Sequence, residues 1–130
     1  MGYRSQVVLA ISKHLTPFLT LATSQNADAQ SLVFKHADTF DRDYGGDKSW
    51  LLVWDGIKWY DSYEGVSAIQ DFIQWCDEET IPTGKKKENG DNEVQDASEF
   101  YRFVRIGEEM DDNEAQGWGF DIHIERTATY

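Results

Sequence analysis

The chain has 130 residues, 40% hydrophobic and 14% aromatic, with a formal net charge of −12. A chain of this length fits one domain able to bury a core without disulfides or metals, and its apolar content sets it apart from compositionally disordered sequences. The charge disfavours nucleic-acid phosphates and anionic membrane surfaces as direct partners. The single cysteine, Cys76, excludes an intrachain disulfide and any multi-cysteine zinc site.

No apolar run approaches the roughly 18 residues needed to cross a membrane. The opening MGYRSQVVLAIS holds too short an apolar run for a signal peptide, and Tyr3 disfavours acylation at Gly2. Tyr3 to Ser12 reads as a first strand, apolar on both faces at Val7, Leu9 and Ile11 and at Val8 and Ala10. Thr16-Pro17 then reads as a helix N-cap followed by proline at the first helical position. Phe18, Leu21 and Ala22 share a face of that helix. Asn26 interrupts it, and a second helical segment runs from Ala27 to Ala37 with Leu32, Val33 and His36 on one face. Two helices or one bent helix are both compatible with this stretch.

Asp38 to Lys48 reads as a loop turning at Gly45-Gly46. Its acids Asp38, Asp41, Asp43 and Asp47 lack the glycine and distal glutamate of a calcium loop. Trp50 to Cys76 holds four of the five tryptophans and reads as the organising stretch, a central strand and the main packing helix. Within the strand, Asp55-Gly56 is either a two-residue hairpin turn or a bulge with glycine at positive φ. The single bulged strand is favoured because IKWY is short for a strand of its own. After a turn at Asp61–Gly65 a helix runs to about Glu79, with Val66, Ile69, Phe72, Ile73 and Cys76 as its apolar stripe. Cys76 reads as a small buried hydrophobe. Asp77, Glu78 and Glu79 oppose the helix dipole.

Thr80 to Ser98, with proline, glycines and a lysine run, reads as a flexible solvated loop. Glu99 to Glu108 alternates as a strand, and an acidic loop follows. Trp118 to Thr129 reads as the final strand, with Trp118, Phe120, Ile122 and Ile124 inward, pairing back as an antiparallel hairpin. The predicted architecture is a single α+β domain of order β-α-β-α-β-β. About four mostly antiparallel strands carry helices on one face.

Enzyme signatures are missing. There is no GxGxxG, Walker GxxxxGK, HExxH or GxSxG. His14, His36 and His123 lie on separate elements without ligand spacing, so no catalytic residue, metal or cofactor is assigned. Charge carries more information. Residues 61–79 contain six acids and no base. Aromatics interleaved with such acids suit an arginine-rich protein surface. The candidate partner-binding residues are Trp59, Tyr63, Asp71, Asp77, Glu78, Glu79, Glu108, Glu109, Asp111, Asp112 and Glu114. The alternative is a small-ligand or signalling-nucleotide pocket built on Arg102, Arg105 and Arg126.

The segments MGYRS with VVLAI, KWYDSYEGVSAIQDFI, FVRIGEEMDDNE and DIHIER together resemble a family of small accessory proteins of tailed phages and prophages. The resemblance covers both ends and the middle, and leaves out Asp38–Lys48 and Thr80–Ser98. It implies a protein made in the cytoplasm of an infected bacterium, dispensable to virion architecture and aimed at a host system. In kind it is similar to anti-CRISPR and anti-restriction inhibitors. The expected function is therefore inhibition or modulation of a host protein with a basic surface, by mimicry of nucleic-acid charge.

Overall fold

The computed structural model describes residues 4–60, 62–107, 112–120, 123–124 and 128–129. Strand β1 (Ser5–Ile11) is the centre of the fold. It pairs antiparallel with β3 (Ser49–Ile57) on one side and β6 (Tyr101–Ile106) on the other. β2 (Thr39–Tyr44) adds outside β3, and β7 (Asn113–Gln116) outside β6, giving the five-stranded order β2-β3-β1-β6-β7. Every pairing in this sheet is antiparallel. The α+β class and the helices packed on the sheet agree with expectation, but the strand at Trp50 sits beside the centre. β1 holds the central place because it is apolar on both faces, and both of its faces are covered.

On one face, Val7, Leu9 and Ile11 join Leu52 and Trp54 of β3 and Tyr101 and Phe103 of β6 in a single core. Helices α1 (Thr16–Ser24), α2 (Ala27–Phe34) and α3 (Glu64–Glu78) supply Leu19, Val33 and the stripe Val66, Ile69, Phe72, Ile73 and Cys76 to it. On the other face, Val8 and Ala10 pack with Leu51, Val53 and Val104 beneath Tyr44, Ile106 and Phe120. β8 (His123–Ile124) and β9 (Ala128–Thr129) pair with each other and contact β6. No helix among the described residues is long and apolar enough to cross a membrane.

Local chemistry explains the element ends. Asn26 separates α1 from α2 by capping the latter, its Oδ1 accepting from the Ala29 amide at 3.0 Å. Thr16 is the first helical residue rather than the cap, and its hydroxyl donates back to the Lys13 carbonyl at 3.2 Å. Gly56 is the bulge in β3, at φ 79° where the register shifts opposite Ser5 and Gln6, so the chain runs on as one strand. The Trp54 indole N–H donates to the Leu32 carbonyl at 3.0 Å and ties β3 to α2. Gly65 lets α3 start against α2. A Cβ there would lie 3.1 Å from the Asp28 backbone.

Three stretches depart from expectation. Asp38–Lys48 contains β2, an edge strand mostly exposed, whose polar composition follows from having one paired side. Arg42 lies over the Phe40 ring at 4.8 Å. Residues 80–98 are not an irregular loop. β4 (Thr80–Lys86) and β5 (Asn92–Asp96) form a hairpin, followed by a 3₁₀ turn at Ala97–Phe100. Finally, β6 pairs with β7, and Trp118 is 81% exposed instead of inward. Gly117 takes φ 83° and turns the chain out of the strand before Trp118.

Candidate functional site

α3 is two-sided. Opposite its apolar stripe, Ser67, Gln70, Asp71, Gln74 and Asp77 recur at helical spacing and face outward. The β6–β7 pairing sets Glu114 across from Arg105 and Gln116 across from Phe103. Between these two elements lies a groove of about 610 Å³, lined also by Trp59, Tyr60, Arg105, Asp112, Glu114 and Gln116. Four carboxylates line it, those of Asp71, Asp77, Asp112 and Glu114, against the one guanidinium of Arg105.

Arg105 is committed to its own wall. Its Nη2 lies 2.7 Å from Asp112 Oδ1 and 2.8 Å from Glu114 Oε1, and its Nη1 reaches Ser5 Oγ at 3.2 Å. The Asp112 carboxylate, with Glu114 beside it, pushes the Arg105 guanidinium further above its already high value, so it remains charged. Asp77 is also shared. It accepts from the Tyr101 hydroxyl at 2.5 Å and from the Gln116 amide at 3.5 Å. Burial, then this bond to Asp77, raises the Tyr101 hydroxyl well above its usual value. Asp71 and Glu114 are exposed, on a helix and a strand respectively, and Glu114 already holds Arg105 through its Oε1.

The expected site residues divide into groups. Asp71, Asp77, Asp112 and Glu114 come together in the groove. Trp59 lines it too, but only 7% of it is exposed, between Trp54 at 5.5 Å and Phe103 at 6.0 Å. It is a core residue whose buried indole N–H has no acceptor among the described residues. Tyr63 lies on a separate cleft with Arg4, His36 and Lys58, although its ring meets Tyr60 at 5.3 Å. Glu78 and Glu79 are exposed at the end of α3, outside the groove lining. Glu108, Glu109 and Asp111 lie outside the described residues, as does Arg126.

Of the alternative arginine pocket, Arg102 and Arg105 lie among the described residues. Arg102 and Arg105 are three residues apart on one strand and so leave opposite faces. Arg102 donates to the Gly117 carbonyl at 2.8 Å, away from the groove. Cys76 is buried, and burial, with Asp77 adding, pushes its thiol up to about 12, so it is not a nucleophile at neutral pH. Among the described residues, no cluster of three His, Cys, Asp or Glu side chains has the geometry to hold a metal. Sequence reasoning missed Ser67, Gln70, Gln74 and Gln116, the uncharged part of the wall. The helical spacing of the first three was legible; the opposing strand was not.

What this arrangement can do chemically is receive cations. Carboxylates held on two rigid elements accept hydrogen bonds from guanidinium or ammonium groups, and the Arg105–Asp112 fork is an internal example of the pairing. No protein-family model, no curated protein and no solved structure matches this chain.

Proposed function

We propose that this chain binds a protein partner with a basic surface, receiving the partner's cationic side chains in the groove between α3 and β7. The observation that carries this reading is the groove's charge, four carboxylates to one guanidinium that is already paired within its wall. The surrounding sequence reinforces it, since residues 59–84 contain neither lysine nor arginine. In the setting that the resemblance implies, the partner is a host protein that itself handles nucleic acid. The acidic groove would occupy its basic surface, inhibiting or modulating a defence activity of the host.

The test uses the intact chain and a nona-lysine peptide in titration calorimetry. Binding is expected to weaken several-fold between about 50 and about 200 mM salt, because exposed charges are screened over about 10 Å. The double variant Asp71→Asn, Glu114→Gln is expected to weaken it by a further factor of roughly ten, two exposed charge contacts at up to about 1 kcal/mol each. Affinity indifferent to both changes would overturn the reading.

A further inference from the structure

A second cleft lies between α1 and α3, and its chemistry is the opposite of the groove's. Leu19 and Thr23 are the buried residues of α1. Phe18, Leu21 and Ala22 instead line a cleft of about 440 Å³, together with Ala68, Asp71 and Trp75 of α3. Each set recurs at three- and four-residue steps, so the cleft follows both helices. Ala22 and Ala68 are small and leave space, while the Phe18 and Trp75 rings bridge the helices at 5.0 Å. Leu21 is 64% exposed. A scattered surface leucine needs no explanation. An apolar concavity with one placed polar group has the form of a binding site.

Asp71 is that polar group, and it lines the acidic groove as well. Its carboxylate makes no hydrogen bond or ion pair among the described residues. A cation held at Asp71 therefore borders both the acidic groove and the apolar cleft. Charge decides what can cover the cleft. α1, α2 and α3 carry Asp28, Glu64, Asp71, Asp77 and Glu78 and neither lysine nor arginine. A second copy of the chain would set these acids against one another, and an anionic membrane surface would be repelled. A segment of a basic partner is attracted.

We infer that the α1–α3 cleft seats a large apolar side chain of the partner, which docks through a basic segment carrying that side chain beside its lysines or arginines. The neighbouring cation pairs with Asp71, and cations further along the segment enter the acidic groove. Exposed carboxylates alone accept any cation, and salt weakens those contacts. Apolar burial adds an attraction that does not depend on charge. The cleft therefore discriminates among basic surfaces, favouring those that place an apolar residue next to a cation. This inference rests on the acidic groove being the partner site, and adds the apolar residue by which the partner's segment is chosen.

The experiment titrates the intact chain, by calorimetry, with two peptides of equal charge, tetralysine–leucine–tetralysine and tetralysine–serine–tetralysine. The leucine peptide is expected to bind about tenfold more tightly, the effect of burying most of one leucine side chain. The double variant Leu21→Gln, Ala22→Gln removes one apolar wall and fills the space with polar atoms, using a residue that suits a helix. It is expected to abolish most of that advantage while leaving the serine peptide's affinity unchanged, which also reports that the variant is folded. Equal affinities for the wild-type chain overturn the inference, as does an advantage that survives the double variant, and both leave the groove reading intact. Absence of binding by both peptides overturns the groove reading as well. A dimer seen by sedimentation and dispersed by the double variant also overturns the inference, since the cleft would then be covered by a second copy of the chain.

Discussion

On the inner side of α3, Val66, Ile69, Phe72, Ile73 and Cys76 are buried against the sheet. On its outer side, Ser67, Gln70, Asp71, Gln74 and Asp77 line the groove. The inner side chains are held by contacts on every flank, so a change of volume is felt at once. The outer ones make few internal bonds, such as Gln74 to Glu78 at 3.2 Å, and their charge can change while the fold stands. One helix thus carries two separable properties, and Asp77 alone of these belongs to both, because it also accepts from buried Tyr101.

Ile69→Ala should show the largest effect, a loss of about 2–5 kcal/mol in denaturant unfolding, with peptide affinity of the folded fraction unchanged. A parallel loss of affinity would mean that the two sides are not separable. The next effect is alkaline. Cys76 titrates near 9.0 when unfolded and at about 12 when folded, so the folded state holds its proton over that interval. Its contribution is fully present below about pH 9 and is lost as pH rises toward about pH 12. The urea midpoint should therefore be flat from about pH 7 to about pH 9 and fall above it, less steeply in Cys76→Ala. A residual slope is expected from Tyr101, which burial shifts in the same direction. An identical slope in the variant would exclude Cys76 as the source. The smallest effect belongs to the outer side, where Asp71→Asn should alter stability by no more than about 0.5 kcal/mol. A larger change would show that this carboxylate is part of the scaffold.

The same contrast explains what could be read from the sequence. The inner side of α3 repeats at three and four residues, and the bulge at Gly56 and the break at Asn26 each follow from one residue's backbone preference. β2, β4 and β5 gave no comparable signal. β2 and the β4–β5 hairpin bury little, so nothing forces their side chains to alternate. One cue for the hairpin was present at Asn89-Gly90, where Gly90 takes φ 86° and its amide closes the turn on Lys87 at 2.9 Å. Trp118 was misplaced because its alternation with Phe120 fits a strand, whereas Gly117 and Gly119 fit only a close crossing over Tyr101. The acids of the groove were identifiable as a group. That Asp112, Glu114 and Gln116 face Asp71 and Asp77 depended on which strand pairs with β6.

The hairpin at residues 80–96 leaves the fold and returns to it at one point, because the Ala97 amide closes on the Glu79 carbonyl. Ile81 and Ala97 are buried and fasten its base, while Lys85 to Asp91 at the tip are exposed. Chain length at the tip is therefore decoupled from the rest of the molecule: doubling such a loop costs only about 0.6 kcal/mol in closure entropy. A tag or a whole folded module spliced between Lys87 and Gly90 would be carried as cargo, with the register of the five-stranded sheet undisturbed.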